Sequence, residues 1–104
     1  MTAAEVQKVI AVEAMECGSL YEILWELNTH FPNVSYELKL AMSQQVLGTM
    51  LNEHFVVLVK GDSTAVPPLP LPLAHSTIGN AKNWEPPGHG HFVMLAAKVE
   101  ANAI

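Results

Sequence analysis

From Thr2 to Glu16 apolar residues recur at helical spacing. Val6, Ile10, Ala14 and Cys17 form one stripe, and Val9 and Val12 widen it. Thr2 and Glu5 have the spacing of a capping box, and Gly18 is expected to end the helix in the left-handed conformation. A second pair at capping-box spacing, Ser19 and Glu22, opens the next helix. There Leu20, Ile23, Leu24 and Leu27 share a face, Tyr21, Trp25 and Asn28 lie beside it, and Glu22 and Glu26 are expected in solvent. Phe31-Pro-Asn breaks the pattern, because proline disfavours helix in the residue before it. From Ser35 a wide apolar face runs through Tyr36, Leu38, Leu40, Met42, Val46, Leu47, Met50 and Leu51. A narrow strip of Glu37, Gln44, Gln45, Gly48, Thr49 and Asn52 is left for the outside. The expected helices are residues 2–16, 19–29 and 35–54.

The pattern then changes period. Phe55-Val-Val-Leu-Val-Lys-Gly-Asp62 is a β-branched run closed by a turn signal, and His91-Phe-Val-Met-Leu-Ala-Ala-Lys98 is a second such run. Strands are expected over 55–60 and 91–98. Between them, residues 61–90 form a long insertion in which Val66-Pro-Pro-Leu-Pro-Leu-Pro-Leu73 excludes a central strand or a helix interior. A short helix fits between Leu73 and Ala81, and Asn83-Trp-Glu-Pro-Pro-Gly-His-Gly reads as loop. Both strands are apolar on both faces, and two strands alone are marginal. Their outer face needs cover from the insertion or from a second subunit, which gives the expectation of a homodimer.

Length suits one domain over residues 1–104, and no apolar run reaches the roughly 18 residues that span a bilayer. No secretory leader pattern is visible at the N-terminus, and Cys17 is the single cysteine, which together predict a cytoplasmic protein. Charge narrows function further. Ten carboxylates face five cations, a formal net charge of −5. The cations are Lys8, Lys39, Lys60, Lys82 and Lys98, spread singly, and no arginine is present. Nucleic-acid affinity rests largely on neutralising phosphates, and arginine is the commonest bidentate reader of guanine. The chain lacks both resources.

The order helix, helix, helix, strand, long connection, strand resembles the winged helix-turn-helix scaffold, in particular small uncharacterised bacterial winged-helix-like proteins. The likeness covers residues 2–98 and rests on that order and on the junction Leu47-Gly-Thr-Met-Leu-Asn-Glu-His-Phe-Val-Val-Leu. It implies an α+β fold: a three-helix bundle followed by a two-stranded antiparallel β wing carrying the proline-rich insertion. The scaffold raises the alternative of a DNA-binding transcriptional regulator with helix 35–54 in the major groove. Lys39, Gln44, Gln45, Thr49 and Asn52 would form its reading strip, with Lys60 and Lys82 on the wing. Against this stands the link Asn28-Thr-His-Phe-Pro-Asn-Val, longer than the turn of a helix-turn-helix. Contacts to bases specify, but contacts to phosphate position.

Other chemistry is sparse. His89 and His91, with His75 and Glu85, permit a zinc site to be drawn, but the spacing lacks a zinc signature and a solvated loop is the expectation. Pro67-Pro-Leu-Pro-Leu-Pro72 is expected to act as a stiff strut that lays Leu69, Leu71 and Leu73 on apolar surface, rather than as a ligand for an aromatic groove. Cys17 is expected to be a small buried hydrophobe. No nucleophile-and-base pair, P-loop or dinucleotide fingerprint is present, so no catalytic residue, metal or cofactor is expected. The leading expectation is a non-catalytic protein-interaction or regulatory module whose contacts come from Tyr21, Trp25, Leu38, Met42 and Val46.

Overall fold

A computed structural model describes residues 1–61 and 67–86, together with the backbone of 92–96. The chain is α+β. Helices α1 (Ala3–Met15), α2 (Leu20–His30) and α3 (Tyr36–Asn52) are followed by β1 (Val56–Lys60), α4 (Leu71–Ile78), a 3-10 turn (Ala81–Trp84) and β2 (Phe92–Ala96). β1 and β2 pair antiparallel, with Val56 opposite Ala96 and Lys60 opposite Phe92.

The helix starts are set by side chains. Thr2 N–H donates to Glu5 Oε1 at 2.8 Å and Glu5 N–H donates to Thr2 Oγ1 at 3.2 Å, a reciprocal box on α1. Ser19 donates from its backbone N–H and from its hydroxyl to Glu22 Oε1. Ser35 Oγ accepts from Leu38 N–H at 3.2 Å.

The helix ends differ from expectation. After α1 it is Cys17, not Gly18, that takes the left-handed conformation, with φ 57°. Gly18 N–H donates to Glu13 O at 2.7 Å and Cys17 N–H to Ala14 O at 3.3 Å, the two bonds of a Schellman motif. Gly18 is needed for room instead: a Cβ there would crowd the side chain and carbonyl of Glu13. Cys17 is therefore exposed, not a buried hydrophobe. The motif recurs after α3. His54 sits at φ 62°, Phe55 N–H donates to Met50 O and His54 N–H to Leu51 O. That turn is what redirects the chain from α3 into β1.

The core is built from Val6 and Ile10 of α1, Leu20, Ile23 and Leu27 of α2, Leu47 and Leu51 of α3, Leu58 of β1, Ile78 of α4 and Trp84. Two departures matter for function. First, α3 buries only part of its expected apolar face: Leu47, Met50 and Leu51 are in the core and Leu40, Met42 and Val46 pack on it half-buried, but its first turn does not follow. Its buried residues are Lys39, Ser43, Leu47, Met50 and Leu51, whereas Tyr36 and Leu38 are exposed. Second, residues 67–86 of the insertion fold back on the rest of the chain. Leu69 N–H, the sole backbone donor in the stretch 67–70, donates to Leu58 O at 2.8 Å and lays that stretch along β1. Leu69 packs on the core, while Leu71 and Leu73 remain outside. Helix α4 then lies against α3, and the 3-10 turn lies against α2. Trp84, expected in a loop, is 1 % exposed.

Candidate functional site

The 3-10 turn sets Trp84 beneath α2, where its indole Nε1–H donates to Ile78 O at 2.9 Å. Above it opens a groove of about 320 Å³ between α2, the start of α3 and the end of the turn. Tyr21, Trp25 and Asn28 line one side, Tyr36 the other, and Glu85 and Pro86 one end. Trp25 is 64 % exposed and Tyr36 46 %. Exposed large aromatics gathered round a recess are unusual on a soluble surface and are enriched at interaction hot spots.

The polar part of this groove is held from inside the protein. Lys39 is 3 % exposed, and its ammonium donates to Asn28 Oδ1 at 2.8 Å. With its oxygen engaged by a donor-only group, the Asn28 amide keeps its nitrogen side free to donate. Among the described residues that nitrogen has no acceptor, and neither do the Tyr21, Trp25 and Tyr36 donors.

The five residues expected to form an interface are divided. Tyr21 and Trp25 share the aromatic groove, and Leu38 is 49 % exposed on α3. Met42 and Val46 are half-buried and line a separate recess between α1 and α3, with Gln45 and Thr49. The groove gains Asn28, Tyr36 and Glu85 instead. Tyr36 was legible only as one of many apolar positions on α3.

The strip considered for DNA is dispersed. Lys39 is inside, against Asn28. Gln44 Nε2–H donates to Ile78 O at 2.9 Å, Gly48 faces His75 and Ile78, and Asn52 Oδ1 lies 2.7 Å from His75 Nε2. Those three positions, four apart, form the seat of α4. Of the strip, Gln45, Thr49 and Asn52 are exposed, and Asn52 is held by His75. His75 is occupied with Asn52, whereas His89 and His91 lie outside the described residues. Among the described residues no three His, Cys, Asp or Glu side chains are set to hold a metal ion, and no helix is long and apolar enough to cross a membrane.

A larger cleft, about 510 Å³, lies between α1 and α2. Glu13 sits in it at 7 % exposure with its carboxyl raised to about 6, first by burial and then by the nearby Glu22, Glu16 and Glu26. Glu26 lies 3.4 Å from His30. Lys8 and Glu5 reach the same cleft, whose lining among the described residues includes no hydroxyl or thiol. Sequence reasoning missed Glu13, although it falls seven residues after Val6 and three after Ile10, in the middle of the stripe on α1. Comparison with protein-family models, with curated proteins and with solved structures finds no match to this chain.

Proposed function

We propose that this chain is a non-catalytic protein-interaction module whose working surface is the α2–α3 face around Trp25. The observation that carries the reading is the inversion at the start of α3. Tyr36 faces solvent in the groove with Trp25, and Leu38 is exposed as well, while Lys39 and Ser43 are inside. Folding stability favours the opposite arrangement, so the exposed rings answer to something other than the core. The scaffold beneath is winged-helix-like in this reading, supported by the order of its elements and by the antiparallel pairing of β1 with β2. The duplex-reading alternative draws no support from a strip whose lysine is enclosed and whose Gln44 and Asn52 hold α4. The homodimer expectation rested on an uncovered sheet, and β1 has Leu69 beside it, with Leu58 and Val59 fully enclosed.

The test is photo-cross-linking in cells, with a benzophenone amino acid at position 25 and, as control, at the exposed position 82. Discrete adducts from position 25 alone are expected. Equal patterns from both positions, or none, would overturn the reading.

A further inference from the structure

Tyr21, Trp25, Asn28 and Tyr36 give the aromatic groove four side-chain donors without a partner among the described residues, and we propose that its occupant is a proline-rich peptide in the polyproline II conformation, flanked by a basic residue; this rests on the interaction reading above. Each partner class leaves a different set of backbone groups to be satisfied. A helical peptide satisfies its own carbonyls internally and gains little from a row of donors. A strand brings both N–H and C=O groups and needs a sheet edge, whereas this groove is walled by α2 and α3. A polyproline II segment has no internal hydrogen bonds, and its prolines have no N–H, so it presents carbonyls that only donors can satisfy.

The groove offers the matching set. Tyr21, Trp25 and Tyr36 each combine an aromatic surface with one polar hydrogen. Asn28 adds an amide whose oxygen is taken by Lys39, which leaves the nitrogen as donor. Lys39 is thus a positioning residue, acting on a ligand through Asn28. Trp84 forms a fixed floor, since its N–H is already bonded to Ile78 O. Glu85 is the one charged residue of the lining among the described residues and stands exposed at its end, so the field there favours a cationic flank. The chain as a whole carries a net charge of −5 in the same sense.

The measurement is a titration of the intact protein into a fluorescein-labelled synthetic peptide of repeated Pro-Pro-Leu ending in arginine, followed by the anisotropy of the label. Saturable binding is expected. Trp25→Ala should weaken it about tenfold or more, a loss typical of an anchor residue. Lys39→Met should weaken it about threefold or more with helical content unchanged, which a purely structural lysine would not do. Changing the peptide's arginine to glutamate should weaken binding about threefold or more, and Glu85→Gln should erase that difference. Equal binding of a peptide with alanine in place of every proline would overturn the proposal, as would no saturation at about 2 mM. A dimer held through Trp25 that excludes the peptide would overturn it too, giving the groove to a second copy. If the peptide fails while cross-links from position 25 persist, the interaction module stands and only this ligand class falls. If both fail, the module falls as well.

Discussion

Replacing Glu13 by glutamine should stabilise the protein at neutral pH and leave it unchanged in acid. The carboxyl of Glu13 is 7 % exposed between α1 and α2, and Gly18 packs against it. Burial raises it from 4.5 to about 6, with Glu22, Glu16 and Glu26 adding in the same direction. Below its unfolded value the group is protonated in both states and costs nothing. Between 4.5 and about 6 the unfolded chain has released the proton while the folded chain still holds it. Stability is therefore lost as pH rises through this window, at 1.36 kcal/mol per unit and about 2 kcal/mol in total. Relaxation at the mouth of the cleft brings the expected gain for Glu13→Gln at about pH 7.5 to about 1–2 kcal/mol. Urea unfolding followed by circular dichroism, at about pH 4 and about pH 7.5, measures it. Subtracting the variant's curve from the wild type's cancels every other titrating group. A difference that does not change with pH, or a variant less stable at neutral pH, would refute the placement of this carboxyl.

Three further outcomes follow from local geometry. Cys17→Gly relieves a left-handed φ of 57° and should raise stability by about 0.5–1 kcal/mol, a rise in melting temperature of about 4 °C. Trp84→Ala empties the junction of α2, α4 and the 3-10 turn and should cost about 3–5 kcal/mol, measured by urea unfolding. Trp25→Ala, at a site 64 % exposed, should change stability by only about 0.5 kcal/mol, so that its effect on association is separable from folding.

The parts legible in sequence were those governed by local rules. Capping pairs at Thr2 and Ser19 fixed the helix starts, and the alternation of period placed β1 within a residue. What sequence hid was decided by tertiary contacts. Nothing local says that the insertion returns to α3, because the evidence for it is shared between Gln44, Gly48 and Asn52 on one helix and Ile78 and His75 on another. Those three read as an outer strip, yet Gln44 and Asn52 hydrogen-bond to α4 and Gly48 leaves room for it between them. The left-handed turns at Cys17 and His54 were hidden because neither residue advertises that conformation as glycine does. The aromatic groove was half visible. Tyr21 and Trp25 stood out on the flank of α2, but Asn28 became part of the site only through a lysine that reads as a surface charge.

The start of α3 holds the strongest tension between stability and use. Ser43 is fully enclosed and its hydroxyl has no hydrogen-bond partner among the described residues. An orphaned buried polar group costs about 1–3 kcal/mol. Four residues earlier, one turn along the same face, Lys39 carries an ammonium whose single partner among the described residues is neutral. Ser43→Ala should therefore stabilise by about 1 kcal/mol, and Lys39→Met, which keeps the aliphatic stem, by a similar amount. As neighbours on one face they are not expected to add fully, and about 1–2 kcal/mol is expected for the pair. The two should separate in binding. Ser43 does not line the groove and its hydroxyl bonds to none of the lining residues described, so its variant should bind as the wild type does, whereas Lys39→Met should release Asn28 and weaken the complex. A pair less stable than wild type would mean that the polar inner face is itself structural. The exposure of Tyr36 and Leu38 would then be a by-product of how α3 docks, and the groove would lose its best argument for being a site.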